Sequence, residues 1–434
     1  MKLNSKIGVV IAGVVIILAL GMTIIYNSFL KGDEVVDQGN TDNVADVIVS
    51  GDKTDMAAAL PTLKNKAQFV NLIKTYQSQQ TLMYGGRDGM MFEDKGADMS
   101  TDTVTTTADS ATEATGSTNS GDFSGTNNQV VGVDEGDTLK TDGEYLYKID
   151  GYGEGVSIVN ADPDNMTVVS EITLPIDNYA SQLFLSNGKL VVITSYYEYP
   201  DYEDGNTNDG IAYDMMWWGG ASYTKTYIYN ISDKSVPKLE NEYQFKGNYV
   251  SGRTIGDVLY FVTNEYMYYD WYTIFEDGVD IEDQLVLPSY KDCTIDEEYT
   301  LDYRDIRYFP GAVEPSYMNT VAIDLSQLGL APEFNAYLGS AYNIYVSTEA
   351  LYTAVSEYTY DETAQDQWSY EVNTNIYKFD LEGTQVTPVN NTVVPGNIIN
   401  QFSMDEYQGN FRIATTIESM WWDENDQSTN SLYI

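Results

Sequence analysis

Residues 126–149, TNNQVVGVDEGDTLKTDGEYLYKI, decide how the rest of the chain is read. The stretch ends in a turn, Asp142-Gly143, that runs into an apolar and aromatic segment, Tyr145-Leu146-Tyr147-Lys148-Ile149. Asx-Gly before such a segment is a hairpin signal, because both residues tolerate positive φ. The turn-plus-strand phrase returns at Asn187-Gly188 with residues 190–194 and at Gly256-Asp257 with 259–263. It returns again at Thr348-Glu349 with 351–355 and at Gln408-Gly409 with 411–415. Such repetition is the mark of an architecture built from one supersecondary unit.

A second phrase follows the first, an alternating strand that ends in Asp or Asn, at 156–160, 226–230, 319–324 and 375–380. The terminal side-chain oxygen can cap the turn that follows. A third strand comes next at 167–174, 238–245 and 384–389. The shortest interval between turns, Asp142 to Asn187, is close to the ~40–50 residues of one four-stranded propeller blade. Longer intervals carry insertions at 197–221, 265–317 and 357–372, which fit where strands emerge at a rim. The expectation is an all-β chain folded as a β-propeller of four-stranded blades with rim insertions. A β-sandwich, or a pair of them, explains the strands but not the repeated phrase. The last residues, Ser431-Leu432-Tyr433-Ile434, read as the start of a fifth second-phrase strand. About four and a half blades leave a ring open, so the sequence reading expects a truncated chain or a further piece that completes the ring.

The opening stretch, together with Asn400-Gln401-Phe402-Ser403-Met404-Asp405-Glu406-Tyr407, resembles a family of secreted bacterial and archaeal proteins with a C-terminal β-propeller domain distantly related to WD-40 repeats. The resemblance runs from Asn127 onward, and the helix before it resembles the region that precedes the propeller in that family. Family members run on past the end of this sequence. The resemblance implies a fold and export, and it carries no catalytic residues.

From Ile7 to Tyr26 the chain is apolar and uncharged, about the length that crosses a bilayer. Lys2 and Lys6 precede it, and Asp33, Glu34 and Asp37 follow. The positive-inside rule then puts the N-terminus in the cytoplasm and the bulk outside. A cleaved signal peptide is the rival reading, but no small-x-small site closes the run. The expected organisation is a cytoplasmic tip and transmembrane signal-anchor (1–30), an extracytoplasmic stalk with a short helix (31–95), a Ser/Thr/Gly-rich linker (96–126) and the propeller (127–434). In the helix, Pro61 stands at the start, and Phe69, Val70, Leu72, Ile73 and Tyr76 form one apolar stripe. The linker has almost no large apolar residue, so it cannot bury enough surface to order itself.

Acidic residues number 66 against 22 Lys and Arg, a formal net charge of -44, which repels nucleic acid and anionic lipid. With no histidine, a Ser-His-Asp or Cys-His nucleophile and a His-ligated metal cannot be built. A single cysteine, Cys293, rules out an intrachain disulfide. The 37 tyrosines suit half-buried, wet strand faces.

Three acidic loops offer oxygen ligands for Ca²⁺: Asp134-Glu135-Gly136-Asp137, residues 201–210 and residues 423–426. In the second, Asp204, Asn206 and Asn208 alternate as in an EF-hand, although the glycine is one place late and no twelfth-position Glu follows. Asp134, Glu135 and Asp137 also suit backbone caps at a strand entrance. Paired tryptophans, Trp217-Trp218 and Trp421-Trp422, follow the first-phrase strands of two blades and would leave from one rim. Indoles beside carboxylates can stack on sugar rings, or they can fill gaps between blades. A glycosidase would need two carboxylates at a defined separation, and acids are too many here to single out a pair. The sequence thus reads as a non-catalytic binding or scaffold protein meeting wall polysaccharide or a surface protein, with a carbohydrate-active enzyme or a purely structural surface protein as alternatives.

Overall fold

Leu190, Val191, Val192 and Ile193 are consecutive in sequence and all four are fully buried. A strand points successive side chains to opposite faces, so this one must be covered on both sides. The computed structural model shows how. It describes residues 60–84, 128–198, 221–267, 286–360, 370–418 and 427–434, all within the unit Val47–Ile434.

A two-residue strand, β1 (Asp134–Glu135), precedes five sheets that are antiparallel but for one edge strand. Blade 1 is β2 (Leu139–Thr141), β3 (Tyr145–Asp150), β4 (Gly155–Asn160) and β5 (Val168–Thr173). Blade 2 is β6 (Asn178–Ser186), β7 (Lys189–Glu198), β8 (Ala221–Asn230) and β9 (Lys238–Lys246). Blade 3 opens with β10 (Asn248–Ile255) and β11 (Val258–Tyr266). After them come β12 (Ser289–Asp292), β13 (Glu297–Thr300) and β14 (Arg307–Tyr308), and then β15 (Ser316–Asp324) and β16 (Glu333–Leu338) finish the blade. Blade 4 is β17 (Asn343–Val346), β18 (Ala350–Tyr360), β19 (Tyr370–Glu382) and β20 (Gln385–Pro395). Blade 5 has β21 (Met404–Tyr407), β22 (Asn410–Ile417) and β23 (Thr429–Tyr433).

The middle strands have two apolar faces, and each face meets a different sheet. Leu190 and Val192 of β7 pack with Tyr147, Val156 and Ile158 of blade 1. Val191 and Ile193 turn the other way, onto Leu259 and Phe261 of blade 3. Tyr260 and Val262 of β11 pack with Leu351 and Tyr377 of blade 4. Tyr345 and Tyr352 in turn meet Met404 and Ile413 of blade 5. Each such side chain contributes about 1.5–3 kcal/mol by burial. Tyrosine serves this core as well as the half-buried and exposed faces expected of it. Tyr147, Tyr227, Tyr243, Tyr317, Tyr337, Tyr345 and Tyr377 are among the largest fully buried side chains. Among their hydroxyls, Tyr147 Oη donates to Asp142 at 2.8 Å and Tyr227 Oη to Asn178 at 3.1 Å, whereas the buried Tyr337 hydroxyl has no hydrogen-bond partner among the described residues.

Two sequence expectations need correction. The first strand of each blade went unread, since only the three after it carry the repeated phrases. And the insertion at 265–317 is not simply a rim loop. Within it, β12 pairs with β9 and adds a hairpin to the outer edge of blade 2, while β14 pairs in parallel with β16 on blade 3. The helix α1 (Lys66–Tyr84) buries Phe69 and Ile73 against Ile306, Tyr317 and Leu338. The chain before it is tied to the same place, with Leu63 N–H donating to Ile306 O at 2.8 Å. Asx turns cap the second-phrase strands: Asn160, Asn230 and Asp324 accept from the N–H two residues on at 3.0, 3.0 and 2.8 Å.

Blade 2 is joined to blade 3, and blade 4 to blade 5, at a glycine. Gly247 and Gly396 donate to Ser222 O and Val372 O at 2.8 and 2.7 Å, and their own carbonyls accept from Thr224 and Thr374 hydroxyls at 2.9 and 2.6 Å. Thr263 and Thr415, each near the end of the next blade's second strand, donate back to Lys246 O and Pro395 O at 3.1 and 2.7 Å. Both glycines have positive φ, 98° and 88°. A Cβ on Gly247 would stand 2.7 Å from the Asn264 carbonyl carbon, and one on Gly396 would stand 2.9 Å from Thr416 O. Gly409 also has positive φ, but nothing lies within 4 Å of its Cβ position. Gly247→Ala and Gly396→Ala should therefore each cost about 2 kcal/mol or more by urea denaturation, and Gly409→Ala only about 1 kcal/mol. Equal costs at the three sites would show that the blade joints are not held by this close approach.

Candidate ligand-binding face and axial cleft

Residues 128–141 form a strap along the first strands of all five blades, in reverse order. Gln129 Nε2 donates to Met404 O at 3.1 Å on blade 5. Val130 and Val133 pack among Ile344 and Val346 of blade 4. Asp134 and Glu135, as β1, pair with Thr254 and Arg253 of β10 in blade 3. Asp137 exchanges backbone hydrogen bonds with Leu183 of blade 2 at 3.3 and 2.8 Å. The strap then becomes β2 of blade 1.

Charge pins it in place. The Lys140 ammonium, nearly excluded from water, meets both Asp134 oxygens at 2.8 Å and also donates to Glu135 O. Arg253, 6% exposed, pairs with Glu135 Oε1 at 3.2 Å and donates to Gly252 O at 2.7 Å and Ser251 Oγ at 2.9 Å. Asp137 Oδ1 accepts from Thr138 N–H at 2.7 Å. These acids therefore cap and pin the strap. Among the described residues no group of three or more Asp, Glu or Cys side chains comes together to hold a metal.

Beside the Arg253–Glu135 pair lies a cleft of about 190 Å³ lined by Glu135, Gly136, Gln182, Tyr249, Ser251, Arg253 and Gln401. Most of the lining side chains both donate and accept hydrogen bonds, or come as a neutralised ion pair. That suits a neutral, hydroxyl-rich ligand of about one sugar ring. β10 carries Tyr249 next to its end away from the Gly256-Asp257 turn.

The same end of each blade, the loop face, receives the blade joints and the connections between second and third strands. The intervals 199–220, 268–285, 361–369 and 419–426 all leave from this face. All six tryptophans of the chain, 217, 218, 271, 368, 421 and 422, fall in those intervals. The strand ends that bracket them are aromatic and acidic. Lys225 Nζ sits 4.6 Å from the Tyr196 ring centroid, and the Tyr266 and Tyr342 hydroxyls bond to each other.

These five sheets, each stacked on the next around one strap, agree with comparison to known proteins. The family described as "Beta propeller domain" matches residues 123–434. The chain belongs to the β-propeller domain family. It is also 24% identical over 370 residues to the uncharacterised protein MJ1554 of Methanocaldococcus jannaschii, covering 72% of this chain and 52% of that one. An uncharacterised protein of Archaeoglobus fulgidus is 24% identical over 376 residues, covering 70% of this chain and 54% of that one. The chain spans about half the length of the curated relatives it matches.

Trp217, Trp218, Trp421, Trp422, Asp204, Asn206, Asn208 and residues 423–426 lie outside the described residues, as does the apolar run from Ile7 to Tyr26. Among the described residues no helix is long and apolar enough to cross a membrane. Gln401 stands in the phrase that carries the resemblance, but the cleft residues Gln182, Tyr249, Ser251 and Arg253 were not singled out by the sequence. Most sit in or beside the unread first strands, and the chain around them carries no motif. Burial raises the pKa of the Cys293 thiol, the opposite of an activated nucleophile.

Two predictions follow from these contacts. Glu135→Gln leaves the Arg253 guanidinium without its charge partner and should cost about 1–3 kcal/mol in chemical denaturation. Asp137→Ala removes one cap and should cost about 1 kcal/mol or less. Glu265, at the blade 2–3 joint, is pushed up to about 7 by burial, against the Lys246 charge and the Asn319 amide. A raised carboxyl favours the protonated folded state. Its stabilising effect is full below the ordinary value of 4.5, falls as pH rises and is gone above about 7. Glu265→Gln should match the parent at pH 4.5 and be the more stable of the two at pH 8, read as melting temperature against pH. A constant difference at all pH values would contradict this.

Proposed function

We propose that this chain is a membrane-anchored, extracytoplasmic propeller that binds or scaffolds at the cell surface without catalysis. The observation that supports it best is convergence: four interstrand insertions leave from one face, and the axial cleft reaches toward the same end of β10. Recognition on loops held by a rigid scaffold is a common division of labour. The anchor is the run from Ile7 to Tyr26, with basic residues before it and acidic ones after. The ligand is wall polysaccharide, one sugar unit entering the cleft while the chain crosses the tyrosine-bearing loop face. A surface protein is the second partner class. Ca²⁺ at Asp204, Asn206 and Asn208 would brace the first insertion. The absence of histidine and the unactivated Cys293 fit a protein that holds its ligand intact.

The test is a glycan array probed with the full chain in detergent, followed by titration calorimetry and product analysis. Stoichiometric binding without product is expected. Gln182→Ala together with Gln401→Ala should weaken it about tenfold, the loss of one or two hydrogen bonds of ~1 kcal/mol each. Release of reducing ends would make the protein an enzyme. Failure to bind any glycan or surface protein would leave a purely structural role.

A further inference from the structure

The joint between blades 3 and 4 on the loop face carries a second surface, distinct from the cleft. Tyr266 and Tyr342 are 48% and 63% exposed, yet their hydroxyls bond to each other, so two open rings are tied together at their tips. Tyr266 pairs with Ser316 across β11 and β15, and Glu314 lies two residues before Ser316. The Glu314 carboxylate accepts from the Ser340 hydroxyl. A second carboxylate, Glu357, takes a hydrogen bond from Asn375 Nδ2 at 2.8 Å. Its Oε1 lies 3.1 Å from where a Cβ on Gly311 would stand, so it borders the segment that leads to Glu314. Among the described residues neither carboxylate has a Lys or Arg partner. Burial raises the Glu314 carboxyl above its usual range, against the Ser340 hydrogen bonds that lower it.

We propose that this surface docks a lysine-bearing segment of a partner protein, with an ammonium over the Tyr266 and Tyr342 rings and the two carboxylates beside it. The face already makes such a contact within the chain. One blade earlier, the Lys225 ammonium lies over Tyr196 with Glu242 at 3.8 Å. A neutral sugar would stack on the rings and leave both carboxylates uncompensated, whereas an ammonium answers rings and carboxylates together. The net charge of -44 adds long-range attraction for a basic partner. The patch is open and spans two blade ends, which suits an extended peptide better than an enclosed small amine. The inference rests on the reading of the chain as a binding module, but it uses none of the cleft residues.

The experiment titrates the full chain with fluorescein-labelled pentalysine at about 150 mM salt, beside the Nε-trimethylated and Nε-acetylated peptides. Lysine and trimethyl-lysine peptides should bind alike, and acetylation should weaken binding at least tenfold. Tyr266→Leu with Tyr342→Leu should weaken it about tenfold, as should Glu314→Gln with Glu357→Gln. The pair Tyr266→Phe and Tyr342→Phe keeps the rings and should retain binding, which guards against a folding defect in the Leu pair. Asp164→Asn with Asp233→Asn, on the opposite face, should change nothing. Equal loss in that control and the rim variants, or binding indifferent to the Leu pair, means attraction to an acidic chain only and overturns the proposal. A chain that binds a glycan but not pentalysine loses this inference alone. One that binds neither loses the binding-module reading too.

Discussion

The constraint that organises this protein is that its middle strands are apolar on both sides. A half-buried sheet can lie against one partner and face water with the other side. β7 cannot, because Leu190 and Val192 belong to one interface while Val191 and Ile193 belong to another. β11 and β18 repeat the condition, so each inner sheet is sandwiched between its predecessor and its successor. The twist of sheets turns such a stack around an axis instead of letting it extend as a flat pile. Aromatic contacts mark the seams, with Phe245 edge-on to Phe261 at 5.2 Å and Tyr352 stacked on Phe411 at 4.2 Å.

Sheets stacked this way touch only neighbours, so something else must relate distant blades. The strap does so. Its hydrogen bonds, ion pairs and apolar contacts connect residues on every blade through a segment with little core of its own. The cleft exists because Gly136 brings the strap close to Gln182, where a Cβ would stand 2.7 Å from the amide oxygen. The lining of the axial cleft and mechanical integrity thus share the same residues, Glu135 and Arg253 above all.

What could be read from the sequence follows the same division. The second and third strands of each blade were legible, because burial on both faces demands an unbroken apolar phrase and the turns need Asx or Gly. The first strands were not. β10, NYVSGRTI, lies along the strap and mixes polar residues that line the cleft with small ones that fit beneath it. No period of two survives that mixture. The strap's acids looked like a cation loop or a set of caps, because their partner Arg253 is far away in sequence and sends no local signal. Residues 289–308 were read as rim loop, since a hairpin that joins a neighbouring blade leaves its hydrogen-bond partners unstated. The indole pairs and the Asp204 loop fall outside the described residues.

The strap's position also bears on the order of events when the chain is made. Residues 128–137 leave the ribosome before any blade exists, yet Gln129 finds its acceptors 272 and 275 residues later. Blades can assemble one upon another as they emerge, each burying a fresh apolar face. The thread down the middle must wait, since its first anchor is completed last. Contacts of such long sequence separation carry a large loop-closure cost and form late. Until then the nascent stack is a row of sheets whose axle lacks its far anchor.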